Sequence, residues 1–222
     1  MDGDPRRMDR APQSEIDEVL TTGDPRIDRR RRLAYQVLLA LRDSGGDPMS
    51  FRSLAAEVGV ARPTLRHHFG DETGALRAAL EIASELGTIY TARVADAEGA
   101  PAMLLPIMLS AYAGAWTTGG LAALHKVGMT AGFRDGALGK VYAEKLLSQT
   151  IAAFATLLRR WDEAGALRVP DPDVAALSLL APIHVLLIVR HNLGSGSGLG
   201  GVSEDAVIRQ RVEEFLAFHQ PG

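Results

Sequence analysis

A single glycine between two short apolar-periodic segments constrains this chain more than any other feature. Gly59 follows Ser50–Val58 and precedes Val60–Phe69. In the first segment Leu54, Ala55 and Val58 recur at helical spacing; in the second, Leu65 and Phe69 lie four apart. Ser50 is placed to cap a short helix from Phe51 to Val58. Arg62-Pro63 suits the first turn of the next helix, which runs to about His68. Gly59 can take the left-handed backbone that ends one helix and turns the chain toward the next. Upstream, Leu33, Val37, Leu38 and Leu41 mark a helix from Arg26, stopped by Gly45-Gly46-Asp47-Pro48. Three helices of unequal length, the last two short and joined by a tight turn, have the layout of a helix-turn-helix.

Charge singles out the same segment. The chain has 222 residues and a net charge of −3, but residues 26–69 carry nine Arg against four acids. That window is +5 and the remainder −8. A basic segment on an acidic body points to a polyanion-binding module attached to something else. With the apolar residues inside, Arg62, Pro63, Thr64, Arg66 and His67 face outward. Arg can donate two hydrogen bonds to guanine, and the Thr methyl can contact thymine. Ser50 and Arg52 open the preceding helix, whose free N–H groups suit a phosphate. Arg29 to Arg32 can track the phosphate backbone or enter the minor groove.

The run Ser50-Phe51-Arg52-Ser53-Leu54-Ala55-Ala56-Glu57-Val58-Gly59-Val60-Ala61-Arg62-Pro63-Thr64-Leu65-Arg66-His67-His68-Phe69 resembles the DNA-binding signature of TetR-family transcriptional regulators. Gly70-Asp71-Glu72-Thr73-Gly74-Ala75-Leu76 continues it. The motif spans about residues 26–80. The resemblance implies an all-α protein: a three-helix N-terminal DNA-binding domain, then a helical domain that binds a small ligand and dimerises. It implies DNA contacts from Arg29, Arg30, Ser50, Arg52, Ala61, Arg62, Pro63, Thr64, Arg66 and His67. Three positions depart from the family pattern. Arg66 stands where Tyr is usual, Glu72 where Lys often meets the DNA backbone, and Ala61 where Ser commonly caps the helix. Arg66 can keep a phosphate contact and adds charge; Glu72 would be repelled by phosphate.

The organisation expected from the chain is a mobile arm over 1–25, a DNA-binding domain over 26–75, and a ligand-binding and dimerisation domain over 76–222. Asp71 is a plausible cap for a long fourth helix. Beyond Gly99 the pattern stays helical, with helices expected at about 101–117, 120–128, 136–164, 171–193 and 203–218. The last two of these are the pair that the resemblance places at a two-fold dimer interface. Such a dimer sets two recognition helices one DNA turn or a multiple apart, matching a near-palindromic operator. Met103, Ile107, Met108, Tyr112, Trp116, Leu124, Met129, Phe133, Tyr142, Leu146, Ile183, His184 and Leu187 are candidates to line an adaptable apolar ligand pocket. His125, His184 and His191 either orient a ligand or serve as hydrogen-bonded core histidines, and Trp161 packs.

Other classes find little support. There is no cysteine, which excludes disulfides, thiolate zinc sites and cysteine nucleophiles. The six histidines show no zinc spacing and no di-iron ExxH pair, so no metal or cofactor is expected. Gly196 to Gly201 reads GxGxxG, but no strand precedes it and the segment 194–201 has a flexible linker's composition. The apolar stretch Val174–Val189 is interrupted by Ser178, Pro182 and His184, and falls short of a bilayer span. Mean hydropathy is +0.03. With an Asp- and Arg-rich start that argues against a signal peptide, the expected compartment is the cytoplasm. The expected protein is therefore a DNA-binding regulator, not an enzyme: a homodimer, with operator DNA and a small-molecule effector as partners and no membrane. Two alternatives remain at this level: a helical small-molecule carrier or enzyme, and a non-specific architectural DNA binder.

Overall fold

Helix signals without competing strand signals produce an all-helical chain. The computed structural model describes residues 13–118, 120–194, 199 and 201–221, and no strand occurs among them. The helices are α1 (Gln13–Leu20), α2 (Pro25–Asp43), α3 (Phe51–Glu57), α4 (Arg62–Phe69), α5 (Glu72–Ala95), α6 (Pro101–Thr117), α7 (Leu121–Arg134) and α8 (Gly136–Tyr142). A π-helical turn (Ala143–Leu147) follows, then α9 (Ser148–Glu163), α10 (Pro172–Asn192) and α11 (Glu204–Phe218). The chain forms two compact units. Among the described residues, one holds 13–89 and 120–148; the other holds 90–118 and those from 149 onward.

In the first unit, α2, α3, α4 and the N-terminal part of α5 close on a core of Val37, Leu38, Leu41, Leu54, Leu65, Phe69 and Ala75. The expected caps form. Ser50 Oγ accepts from Ser53 N–H at 3.1 Å, and Asp71 Oδ1 accepts from Gly74 N–H at 2.9 Å. Asp24 caps α2 by accepting from Arg26 N–H at 2.8 Å. Each satisfies a backbone donor that a helix start leaves without an intrahelical partner. α7 packs on α2 and α8 packs back on α7, so residues 120–148 share the compact unit of the helix-turn-helix.

The arm expected over 1–25 is folded where it is described. Residues 13–20 form α1, with Leu20 buried and Ile16 packed on the core. Residues 1–12 lie outside the described set. The sequence hides α1 because its few apolar residues sit among acids, and their partners lie in a core built by later helices. The helix expected at 120–128 continues to Arg134, and the one expected at 136–164 is interrupted by the π turn. Most of the linker-like segment, residues 195–198 and 200, falls outside the described residues.

In the second unit, α6, α10 and α11 pack together around Leu105, Leu109, Leu179, Ile183 and Leu187, with Phe154, Leu157 and Leu158 of α9 buried in the same unit. Trp161 donates from Nε1 to the Gly99 carbonyl at 3.1 Å, and Arg160 to that of Ala95 at 2.6 Å. At 21 residues, α10 is long and apolar enough to cross a membrane, contrary to the expectation of a short stretch. Its inward face nonetheless buries Ala175, Ala176, Leu179, Leu180, Ile183, Leu186 and Leu187 in the protein.

Candidate nucleic-acid interface

The turn that orients the reading helix α4 runs through Val58, Gly59 and Val60. Val58 N–H donates to Leu54 O at 3.0 Å and Val60 N–H to Ala55 O at 3.0 Å. Gly59 between them has φ +72°, a backbone state that costs a side-chain-bearing residue about 1–2 kcal/mol. Leu65 and Phe69 bury one face of α4. The helical period then sends Arg62, Pro63, Arg66 and His67 to solvent, with Thr64 half-buried. Ala61 is exposed at the N-cap and makes no side-chain cap, as its methyl requires. Ser50 and Arg52 are also exposed, at the start of α3. These groups form one basic surface on α3 and α4.

The four consecutive arginines of α2 diverge. Arg29 and Arg32 are exposed. Arg31 turns inward, donating to the Val19 carbonyl at 2.8 Å and pairing with Glu85, which ties α1, α2 and α5 together. Arg30 lies over the Phe69 ring with its guanidinium carbon 5.4 Å from the centroid, and its Nε reaches the His68 carbonyl at 3.4 Å. Arg30 therefore braces α2 on α4 as well as adding charge. Burial, with help from His67, Arg29 and Arg30, holds the His68 imidazole below its ordinary pKa. His68 is half-buried and packs edge-on against His67, with ring centroids 5.3 Å apart.

The candidate pocket residues divide between the two units. In the second, Tyr112, Trp116 and His184 meet. Tyr112 Oη and His184 Nδ1 are 2.6 Å apart, and the Trp116 ring stands edge-on to His184 at 5.1 Å. Burial pushes the His184 pKa down to about 4. Met108 and Leu187 are buried in this unit. Three expected lining residues lie on the surface instead: Met103 is 70% exposed, Ile107 56% and Phe133 90%. The reason is helical phase: α6 turns Leu105, Met108, Leu109 and Tyr112 inward, leaving 103 and 107 on the opposite side. In the first unit, the Tyr142 hydroxyl is 2.8 Å from Nδ1 of buried His125, while Met129 and Leu146 are half-buried. His191 contacts Glu204 at 3.2 Å. Among the described residues no His/Asp/Glu group has the makeup of a metal site.

A helix-turn-helix with an exposed basic face, followed by further helices, defines the class of helical DNA-binding regulators. Residues 102–221 match the model of the AefR-like transcriptional repressor C-terminal domain of the TetR group. The chain belongs to the TetR family and is a transcriptional regulator. Several solved structures share the fold. A putative TetR-family regulator from Mesorhizobium loti is 20% identical, with 86% of this chain and 97% of that one aligned at a TM-score of 0.69. A TetR regulator from Agrobacterium tumefaciens is 23% identical over 88% and 95%, at 0.60. The flavonoid-responsive regulator FrrA is 19% identical over 87% and 98%, also at 0.60. No curated protein matches the chain by sequence.

Proposed function

We propose that the protein is a cytoplasmic, homodimeric repressor, released from a near-palindromic operator by a small apolar or amphipathic effector. The observation that carries this reading is the outward basic face of α3 and α4. Buried Leu65 and Phe69 fix the rotation of α4 and leave Arg62, Thr64, Arg66 and His67 to read bases and phosphates. Arg29, Ser50, Arg52, Ala61 and Pro63 frame that face, and Arg30 supports it from behind. Dimerisation is supported by α10, which keeps Val174, Leu177 and Val185 on an exposed stripe, with exposed Phe218 at the end of α11. For the effector, Tyr112 and His184 set two polar tips against the Trp116 ring, a group able to orient an apolar molecule. Effector binding then stabilises a dimer geometry that misfits the operator.

Selection from random duplex DNA at near-physiological salt tests the proposal. Enrichment of a near-palindrome is expected. Binding that shows no motif and vanishes as salt rises would replace it with a non-specific binder.

A further inference from the structure

We infer that the first unit holds a second small-molecule site, built from other residues than the Tyr112–His184 cluster and shaped for a free α-amino acid with an apolar side chain. A cavity of about 140 Å³ opens between the 46–49 loop, α3, the start of α5 and the end of α7. Leu41, Leu54, Leu76, Val127 and Leu138 contribute apolar lining. An apolar cavity of about 150 Å³ accommodates benzene, so an isobutyl or phenyl group fits this one.

The walls are braced. Gly46 approaches α7 so closely that an added Cβ would stand 2.5 Å from the Ala123 carbonyl oxygen. Asp47 pairs with Lys126 of α7 at 2.6 Å. Asp135 is committed to capping α8, accepting from Ala137 N–H at 2.8 Å. After those pairings two lining charges of opposite sign are left at the solvent-exposed rim, Glu72 and Arg134, and neither has a polar partner among the described residues. They do not pair with each other. One carboxylate and one guanidinium over an apolar floor complement a molecule that carries an ammonium, a carboxylate and a short apolar arm. Thr73 and Thr130 add hydroxyls to the same lining. A neutral apolar ligand would use neither charge, and a simple fatty acid would leave Glu72 facing a carboxylate.

The cavity is lined jointly by α3, the first helix of the helix-turn-helix, and by α7. Its occupancy therefore restrains α3 against α7, and on the operator-binding reading above this alters operator affinity. Binding itself does not depend on that reading and is measured without DNA. Calorimetry on the full chain uses L-leucine and L-phenylalanine, with 4-methylpentanoate (no ammonium) and leucinamide (no carboxylate) as controls. Saturable binding of the amino acids is expected, weakened about tenfold or more for either control, since each loses a charge-assisted contact. Glu72→Gln should erase the preference for leucine over 4-methylpentanoate, and Arg134→Gln the preference over leucinamide. Ala131→Phe should abolish binding by filling the cavity, with helicity by circular dichroism confirming a folded protein. No saturable heat at millimolar leucine, equal binding of 4-methylpentanoate, or undiminished binding to the Glu72→Gln and Arg134→Gln variants would each overturn the site.

Discussion

At the scale of the residue, exposed arginines are divided by the helix that carries them. Arg62 is exposed at the first turn of α4, whereas Arg29 sits on α2 without a described partner. Arg62→Ala is expected to relax base preference and cost about 1–3 kcal/mol at one operator position. Arg29→Ala should weaken all sequences alike and lower the salt slope by about one. Competition binding across single-base operator variants, repeated over a salt series, separates the two; identical profiles would dissolve the division of roles. His184 gives a second residue-scale test. Its folded pKa, about 4, lies below the unfolded value of 6.5. Between those values the unfolded chain takes up a proton that the folded chain refuses. Stability contributed here is thus present above pH 6.5 and is lost as pH falls toward 4, by at most about 1.4 kcal/mol per pH unit. Denaturant titrations should show a shallower fall over that window in His184→Gln than in the parent.

At the scale of the element, small residues set how closely α7 and α8 approach. A Cβ on Gly128 would sit 2.2 Å from the Tyr142 ring, and one on Gly132 would sit 2.8 Å from the Gly139 backbone. Gly128→Ala must therefore push the Tyr142 ring away and disturb its contact with His125. Overpacking of this kind costs about 1–3 kcal/mol, read as a lowered midpoint in thermal unfolding. An unchanged midpoint would mean that the ring moves freely. The π turn comes directly after Tyr142, widening the helix by one residue per turn before α9 begins.

At the scale of the whole molecule, the proposed dimer places its interface on the exposed stripe of α10. Leu177 is half exposed in a helix that is otherwise strongly apolar. Leu177→Glu is expected to give a folded monomer by sedimentation. Operator affinity should fall at least ~100-fold as the two half-site contacts become independent. A variant that stays dimeric would move the interface to another surface.

What the amino-acid order determined by itself is local. Gly59, Ser50, Asp71 and the Leu54–Leu65–Phe69 spacing act within a few residues of one another, so the helix-turn-helix and its outward face were legible from them. The helical character of the C-terminal half was legible for the same reason, because periodicity is a property of neighbours. Tertiary structure decided whatever depends on a distant partner. Which arginine of α2 turns inward depends on Glu85, 54 positions away. α1 packs on α2, a partner that lies outside its own eight residues. Met103, Ile107 and Phe133 have the apolarity of pocket residues, but the phase of their helices set by long-range packing puts them outside. The cavity beside Glu72 and Arg134 likewise gathers residues from 41 to 138, and apolarity along the chain carries no record of which side chains will meet.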